Sequence, residues 1–304
     1  MGRRKRGREV DGIVLLDKPP GLTSNGALQR VRYLFDARKG GHTGSLDPLA
    51  TGALPLCLGE ATKLSSYLLD ADKTYEVRIR LGARTDTADS DGEVVETAPV
   101  PALDAAAVEA AMAGLRGPIE QVPPMYSALK HQGQRLYELA RKGETVERKP
   151  RAVTIHALTL DHLAADELGI TVRCSKGTYV RTLAEDLAAA LGTLGHVIAL
   201  RRTQAGPFGP EGMVTLEALE TLAEQGPAAL DAILLPMDQA LEGWPEVHLD
   251  QDSAWYMKRG QPVMVPGAPT EGLLKVYGPE RTFLGLGEIL PDGRVSPKRL
   301  VKAA

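Results

Sequence analysis

Apolar residues occur along the chain in two patterns, continuous runs and strict alternations with charged residues, and both predict β-strands. Residues 12–16 (GIVLL) form a continuous run followed by a turn, which is typical of a buried strand. In residues 73–82 (KTYEVRIRLG) apolar side chains alternate with arginines, as in a strand with one buried face. Two further strands are predicted over residues 153–160 and 169–174.

Apolar positions at helical spacing, near capping residues, predict helices between the strands. Leu28, Val31 and Leu34 lie on one face of a helix that Ser24 or Asn25 can cap. The other predicted helices follow the cap Asp104, cover residues 182–191 with Gly192 after the last turn, and extend from the cap Thr215 to residue 225.

The chain is predicted to contain two units. Strands and helices mix without regular β-α-β alternation, which favours an α+β fold over a doubly wound sheet. A Gly-Trp-Pro boundary at residues 243–245 precedes short strands over residues 273–277 and 283–289, typical of a small all-β unit. Residues 1–238 are therefore assigned to the larger unit and residues 239–304 to the smaller.

Composition and the two cysteines indicate an ordinary globular protein of a reducing compartment. Hydrophobic residues make up 43% and charged residues 25% of the chain, as in typical soluble domains. No apolar run approaches the roughly eighteen residues of a membrane span, and the basic N-terminus lacks the apolar core of a secretory signal. Cys57 and Cys174 lie in apolar runs, which favours buried free thiols over a disulfide or metal site. The expected location is cytoplasmic.

Positive charge is concentrated in three clusters although the net charge is −3. The clusters are Arg3, Arg4, Lys5, Arg6 and Arg8; Arg141, Lys142, Arg148, Lys149 and Arg151; and Lys298, Arg299 and Lys302. Clusters of this kind can follow a phosphate backbone even when the whole protein is nearly neutral. Each is also compatible with a solvated surface, so charge alone leaves a nucleic-acid partner open.

The sequence offers no motif for a nucleotide cofactor or a metal. The glycines form neither a G-x-G-x-x-G fingerprint nor a phosphate-binding loop. Residues 89–92 (DSDG) suggest part of a calcium loop, but Thr87 stands where the first carboxylate is required. The histidines show no ligand spacing. We therefore expect no cofactor and no metal.

Residues 41–52 (GHTGSLDPLATG) carry the best candidate for catalysis, Asp47. The segment is a short loop bounded by glycines, and it leads into an apolar run over residues 53–58 that predicts a buried strand or the start of a helix. An isolated Asp-Pro is usually a solvated turn. A carboxylate on a rigid loop against apolar surface is instead a candidate nucleophile or acid–base group.

This loop resembles the catalytic loop of the TruB-type pseudouridine synthases, and motifs along nearly the whole chain support the resemblance. They are Asp17-Lys18-Pro19 with Gly21 and Thr23-Ser24; Lys73-Thr74-Tyr75; Gly82 with Thr85-Asp86-Thr87, Asp89 and Gly92; Ser175-Lys176-Gly177-Thr178-Tyr179 with Arg181; and Leu200-Arg201-Arg202-Thr203. The C-terminal tail is similar to the PUA-type RNA-binding module. The implied fold is a mixed, largely antiparallel sheet with flanking helices, plus a small β-rich PUA-like domain.

The resemblance implies that the protein isomerises uridine 55 in the T arm of tRNA to pseudouridine. The N-glycosidic bond breaks, the base turns, and a carbon–carbon bond forms, so the reaction needs no redox step and no cofactor. The target uridine is stacked in folded RNA and must be flipped out before Asp47, the implied nucleophile, can reach it. Attack at C6 of uracil and attack at C1′ of the ribose both stay open.

The family motifs assign substrate-binding roles to His42, Tyr75, Tyr179 and Leu200. Tyr75 offers a flat face and a phenol to the flipped base, although a tyrosine at the head of a strand is by itself more often a core residue. Tyr179 and Leu200 are expected to form further walls of the base pocket. His42 is expected to stack in the space that the base leaves and to contact RNA.

Arg181 and Lys18 are assigned supporting roles. Arg181 is expected to pair with Asp47 and keep it ionised, although by itself it would be an exposed arginine at a helix start. Lys18 is expected to support the site or to contact phosphate. Residues 124–151 are predicted to be a basic RNA-binding insertion that closes over the T loop. The expected partner is the tRNA T stem-loop, with the protein a monomer that needs no protein partner and no membrane.

Three other classes of function fit part of the sequence. A non-catalytic RNA-binding protein would use the basic clusters, but it has no need for a carboxylate such as Asp47 in an RNA cleft. A glycosidase normally needs two facing carboxylates, and Asp86 and Asp89 are better explained as turn and structural residues. A metal hydrolase would need histidines at ligand spacing.

Overall fold

The computed structural model describes residues 7–302, so Arg3, Arg4, Lys5 and Arg6 of the first basic cluster lie outside the described residues. The strands are β1 (Gly12–Lys18), β2 (Gly40–His42), β3 (Thr51–Leu58), β4 (Lys73–Leu81), β5 (Ala83–Thr85), β6 (Val94–Thr97), β7 (Gly117–Gln121), β8 (Lys130–His131), β9 (Gln134–Arg135), β10 (Arg151–Ala164), β11 (Glu167–Cys174), β12 (Gly195–Ala205), β13 (Glu246–His248), β14 (Leu273–Tyr277), β15 (Phe283–Ile289) and β16 (Val295–Leu300). All the strands predicted from periodicity are present.

Helices connect and cover these strands. The α-helices are α1 (Ser24–Leu34), α2 (Ser65–Asp70), α3 (Ala105–Ala113), α4 (Leu136–Ala140), α5 (Val180–Ala190), α6 (Leu216–Glu224), α7 (Pro227–Asp231) and α8 (Gln251–Lys258). Short 3₁₀ helices cover Gly59–Lys63, Met237–Leu241 and Pro279–Arg281.

The caps of the helices follow the sequence with one exception. Asp104 caps α3 and Thr215 caps α6, as predicted. The prediction that Ser24 or Asn25 caps α1 was wrong, because Thr23 has the extended backbone and accepts the capping hydrogen bond. Ser24 is already helical, and its buried hydroxyl is bonded to the loop that carries Asp47.

The larger sheet has the strand order β1-β3-β12-β4-β11-β10-β7, with β2 paired to β3. Only the β3–β12 contact is parallel, and the other pairs in this sheet are antiparallel. The predicted α+β class with a mixed, largely antiparallel sheet is therefore confirmed. Sequence analysis predicts no strand over β12, the strand between β3 and β4, where two register shifts interrupt regular alternation.

The main core lies on one face of this sheet, where α1, α3, α5 and α6 cover it. Tyr75, Val77, Ile79 and Leu81 of β4 point into this core, while the residues between them are more exposed. Alternation along β4 therefore decides which of its side chains line the covered face.

A second apolar cluster lies between β1, β3 and residues of the C-terminal part, including Leu241 and Leu286. β13, β14, β15 and β16 form a separate four-stranded sheet with its own core, in which Met257 of α8 is buried. The predicted β-rich C-terminal unit is confirmed. Cys57 and Cys174 are buried free thiols, also as predicted.

Candidate active site

The loop that carries Asp47 connects β2 to β3 and is fastened at several points. The Leu46 amide donates to Ser24 Oγ at 2.7 Å, which ties the loop to the start of α1. The Gly21 amide donates to the Pro48 carbonyl at 2.8 Å, which ties it to the turn after β1. Because contacts lie on both sides of Asp47, its backbone is held in one position.

Lys18 also holds the loop that carries Asp47 in place. Its side chain is 0% exposed, and Nζ donates to the carbonyls of Pro19 (2.8 Å), Leu22 (2.7 Å) and Pro48 (3.3 Å). Burial lowers the pKa of Lys18 to about 8. With no exposed surface, Lys18 is unable to contact a phosphate, so the support alternative alone fits the structure.

Asp47 pairs with a buried arginine that also binds a second carboxylate. Arg181 Nε lies 3.0 Å from Asp47 Oδ2, and Arg181 Nη1 lies 3.2 Å from Asp89 Oδ2. Arg181 and Asp89 are buried, whereas 38% of the Asp47 side chain is exposed. Arg181 is therefore not an exposed helix-start residue, and Asp47 is the member of this network that a substrate can reach.

Arg181 is one of several groups that set the pKa of Asp47. Burial in the cleft raises the pKa of the Asp47 carboxyl above its ordinary 3.8, and Arg181 opposes that rise. Asp89 and Asp91 add to the rise because they are negative neighbours. Arg181 thus favours ionisation of Asp47, but its charge is shared with Asp89 and does not fully offset the burial.

Tyr75 and Leu200 lie on neighbouring strands and face the same side of the sheet. Tyr75 of β4 is opposite Arg202 of β12, and Leu200 is opposite Val77. Both side chains are buried, and burial raises the pKa of Tyr75, so its hydroxyl is protonated. The negative charge of Asp47 adds to this rise.

Tyr179 lies immediately before α5 and is fastened through its backbone. Its amide donates to Gln121 Oε1 at 3.0 Å, and Gln121 Nε2 donates to the Tyr179 carbonyl at 3.3 Å. Burial raises the pKa of Tyr179, and the charge of Asp47 contributes to the rise. Tyr179 lies two residues before Arg181, which pairs with Asp47, and Tyr75 and Leu200 belong to the same core cluster as Leu46, the neighbour of Asp47.

His42 ends β2 at the entrance to the Asp47 loop. Burial, together with the charge of Arg202, lowers the pKa of His42, so its imidazole is neutral near pH 7. Its Nδ1 is buried without a hydrogen-bond partner among residues 7–302. A neutral, half-buried ring at this point suits stacking better than proton transfer.

The basic insertion, residues 124–151, reaches the Asp47–Arg181 pair through Arg181. It contains the hairpin β8–β9 and helix α4, and near its start the Tyr126 carbonyl accepts a hydrogen bond from Arg181 Nη2 at 2.8 Å. The Thr87 carbonyl accepts from Arg181 Nη1 at the same distance. One guanidinium therefore contacts the Asp47 loop, the Asp89 turn and the insertion.

The chemistry that these groups support is nucleophilic or electrostatic. A partly exposed carboxylate lies beside a fixed cation, which favours the ionised form. Such a group can attack an electrophilic carbon or stabilise a positive charge on a sugar. Residues 7–302 contain no cluster of three or more His, Cys, Asp or Glu side chains arranged to hold a metal ion.

Family models match three consecutive parts of the chain. Residues 32–180 match the N-terminal domain of TruB family pseudouridylate synthases. Residues 181–242 match the tRNA pseudouridylate synthase B C-terminal domain, and residues 245–301 match the pseudouridine synthase II TruB C-terminal model.

Curated relatives cover almost the full chain. The chain is 58% identical over 299 residues to tRNA pseudouridine synthase B of Nitrosococcus oceani, covering 98% of this chain and 97% of that protein. It is 57% identical over 297 residues to tRNA pseudouridine synthase B of Stutzerimonas stutzeri, covering 97% of both. The chain belongs to the TruB family of pseudouridylate synthases. The prediction of an isomerase of this family is thereby confirmed.

The TruB family fold also appears in a solved structure of low sequence identity. The chain matches a protein in a crystal structure of a Cbf5-Nop10-Gar1 complex with a TM-score of 0.72 and 24% identity, covering 96% of this chain and 84% of that one. At this identity the likeness concerns the fold alone.

No helix within residues 7–302 is long and apolar enough to cross a membrane.

Three groups at this TruB family site were not singled out by sequence reasoning. Asp89 was interpreted as a structural residue of its turn, but it forms an ion pair with Arg181. Gln121 fixes the backbone of Tyr179, and the Tyr126 carbonyl binds Arg181. Asp89 could have been found from the sequence, because it belongs to one of the motifs that carry the family resemblance. Gln121 belongs to none of those motifs, and a main-chain carbonyl leaves no mark in a sequence.

Proposed function

We propose that this protein isomerises uridine 55 in the T arm of tRNA to pseudouridine, with Asp47 as the nucleophile. The observation that carries the proposal is the ion pair between Asp47 and buried Arg181 at 3.0 Å, in which only Asp47 is substantially exposed. The tRNA substrate is inferred from the relatives, which are named as tRNA pseudouridine synthases. Membership of a bacterial-type RNA-modifying family supports a cytoplasmic, monomeric enzyme that needs no cofactor.

In this proposal the target uridine leaves the RNA stack before reaction. A base stacked inside folded RNA is inaccessible to the Asp47 carboxylate, so the uridine must be flipped out to reach it. Tyr75, Leu200 and Tyr179 form the walls of the pocket that receives the flipped base. His42 stacks in the space that this base leaves in the RNA. Arg181 keeps Asp47 available in its ionised form, and Lys18 fixes its loop.

The proposed bond changes need no outside reagent. The bond between C1′ and N1 of uracil breaks, Asp47 takes part by attack at C6 or at C1′, and the bond between C1′ and C5 forms. The proton on C5 then leaves to solvent, N1 takes up a proton from solvent, and Asp47 is regenerated. Every atom of the uridine except that exchanged proton is retained in the product.

RNA contacts beyond the cleft are assigned to two segments. The insertion, residues 124–151, carries cations beside two tyrosines, which suits phosphates and exposed bases. Arg141 lies over the Tyr137 ring with 5.6 Å between its guanidinium carbon and the ring centroid. Residues 1–238 then form the catalytic domain, and residues 239–304 form a PUA-like domain that binds RNA outside the T loop.

The proposal predicts release of tritium from tRNA transcripts labelled at uracil C5, because forming the new carbon–carbon bond expels that hydrogen. We expect wild-type protein to release tritium and Asp47→Asn to release none, since the amide is a poor nucleophile. The affinity of Asp47→Asn for tRNA is expected to stay within about tenfold, because Asp47 makes one of many contacts.

A control transcript makes this test specific. A transcript with cytidine in place of uridine 55 is expected to release no tritium from the T arm with wild-type protein. Release from that transcript at the wild-type rate would remove uridine 55 as the target, and substantial turnover by Asp47→Asn would remove Asp47 as the nucleophile.

A further inference from the structure

Arg202 is a buried cation beneath the catalytic loop for which the reaction described above gives no role. It is 1% exposed and is the largest of the fully buried side chains within residues 7–302. On β12 it is paired with Tyr75 of β4 on one side and with Gly52 of β3 on the other. Arg202 therefore lies at the only parallel contact of the large sheet, directly behind the loop that carries Asp47.

The Arg202 guanidinium contacts both ends of this loop. Nε donates to the Ala53 carbonyl at 2.7 Å, and Nη2 donates to the Gly44 carbonyl at 3.2 Å. Gly44 precedes Asp47 and Ala53 follows it, so one planar group connects the entry and the exit of the loop. Arg202 and Tyr75 are also direct cross-strand partners, so their side chains lie on the same face of the sheet.

The electrostatic surroundings of Arg202 do not explain why a cation is buried there. No Asp or Glu of residues 7–302 forms an ion pair with Arg202, whereas Arg201 and Arg181 both have carboxylate partners. Lys18, His42 and Lys73 lie close enough for the charge of Arg202 to lower the pKa of each. A buried cation among other basic groups is costly for folding, so a role in stability alone would favour an apolar side chain.

We propose that Arg202 is a positioning residue of the isomerase, which aligns the Asp47 loop with Tyr75 across the base pocket. The inference rests on the proposed function and adds a residue to it. Arg202 donates to the Gly44 and Ala53 carbonyls and is the cross-strand partner of Tyr75, so it connects the loop that carries Asp47 to the strand that carries Tyr75. Small displacements of reacting groups have large effects on rate.

Arg201 provides a matched control on the same strand. It points to the opposite face of the sheet, where Nη1 and Nη2 each lie 2.9 Å from a carboxylate oxygen of Asp17. Its side chain is 38% exposed, and its guanidinium donates to Asp17 and not to the Gly44 or Ala53 carbonyl. Replacing Arg201 therefore removes an arginine from β12 without removing the hydrogen bonds that Arg202 makes to the loop.

The test compares Arg202→Lys, Arg202→Met and Arg201→Met with wild type in single-turnover tritium release at saturating tRNA. Lysine keeps the charge but reaches only one of the carbonyls, and methionine removes the charge. We expect the rate constant of both Arg202 variants to fall by about a hundredfold, with the tRNA Kd within about threefold of wild type. Arg201→Met is expected to react at the wild-type rate.

The rate constant and the amplitude of the single-turnover trace distinguish a positioning role of Arg202 from a role in folding. A purely structural role would lower the unfolding midpoint and the amplitude of the trace, which reports the folded fraction, and would leave the rate constant of that fraction unchanged. Such a loss of amplitude at an unchanged rate constant would overturn the proposal. A wild-type rate in either Arg202 variant would also overturn it, and so would the failure of both Arg202 variants to fold. If wild type and Arg201→Met were also silent, the proposed function itself would be refuted instead.

Discussion

At the scale of single residues, the site depends on the charges of Asp47, Arg181 and Asp89, which lie next to one another. Asp47 must be ionised to act as a nucleophile, yet burial raises its pKa. Arg181 favours the ionised form but also binds Asp89, whose negative charge acts against it. The reactivity of Asp47 is therefore set by a balance, and each neighbour moves that balance in a known direction.

The pH dependence of the chemical step should report this balance. Because the pKa of Asp47 is raised above 3.8, the single-turnover rate should increase with pH through a midpoint above that value as the carboxylate ionises. Arg181→Gln removes the favourable cation and should move the midpoint to higher pH. Asp89→Asn removes a repelling anion and should move it to lower pH.

Single-turnover rates measured across the acid limb for all three proteins would check the sign of both shifts. Asp161→Asn, at an exposed carboxylate on β10, serves as a control that should leave the midpoint in place. A common midpoint in wild type, Arg181→Gln and Asp89→Asn would show that ionisation of Asp47 does not produce this limb.

At the scale of elements, the contact between β3 and β12 decides where the catalytic loop ends. Gly52 has a φ of +96°, and a Cβ on it would lie 2.2 Å from the Arg202 carbonyl oxygen. The two strands approach this closely only because Gly52 has no side chain. The close approach places Arg202 under the loop and Leu200 beside Val77, so a backbone requirement at one glycine shapes the pocket.

Gly52→Ala should therefore destabilise the protein far more than alanine at an unobstructed glycine. Gly192, after α5, has a φ of +78° and no atom within 4 Å of a Cβ added there, so Gly192→Ala should cost only about 1 kcal/mol of backbone strain. Gly52→Ala combines that strain with a backbone collision and should cost more than about 3 kcal/mol.

Free energies of unfolding from denaturant titrations would compare the two alanine variants. Equal losses would mean that β3 and β12 separate easily, and that the close approach is not needed to position Arg202. A larger loss for Gly52→Ala, together with a lower rate in the folded fraction, would connect the close approach to the site.

At the scale of the whole molecule, the C-terminal unit is attached to the catalytic unit by shared apolar packing and by hydrogen bonds. Leu286 packs in the same cluster as Ile13 and Leu15 of β1, and Lys63 Nζ donates to the Leu300 carbonyl at 2.8 Å. The Tyr277 hydroxyl donates to Asp238 at 2.6 Å. Removing the unit would expose this cluster, so point substitutions on its surface test its role more cleanly than truncation.

The surface of α8 is suited to such a test. Trp255 is exposed, and the Arg259 guanidinium lies 3.4 Å from the centroid of its indole ring. Stacking on an exposed aromatic side chain is worth about 1–3 kcal/mol per base. If the unit binds tRNA, Trp255→Ala with Arg259→Ala should lower tRNA affinity about tenfold and leave the single-turnover rate at saturating tRNA unchanged.

Binding isotherms at two salt concentrations would check this prediction, with Arg294→Ala as the control. Arg294 belongs to the same unit, but its charge is already paired with Asp292 at 2.6 Å. Unchanged affinity in the double variant would remove α8 from the RNA-binding surface. A reduced rate at saturating tRNA would indicate instead that the substitutions disturb the catalytic unit.

The sequence by itself determined the local elements and singled out the loop that carries Asp47, whose catalytic role stays a prediction. The alternation of apolar and charged residues predicted correctly which side chains of β4 are buried, and Asp104 and Thr215 were correctly predicted as helix caps. Both patterns could be recognised because periodicity and capping depend on residues that are close in the chain. The family motifs pointed to Asp47 and its surroundings for a different reason, since they preserve residue types at the site.

Only the tertiary structure decided which of these elements meet. It placed β12 between β3 and β4, so that Arg202 bonds to Ala53, 149 residues away in the chain. It also buried Arg181 between Asp47 and Asp89, where the sequence allowed an exposed arginine. Strand order and ion-pair partners depend on the packing of distant segments, which local patterns do not encode.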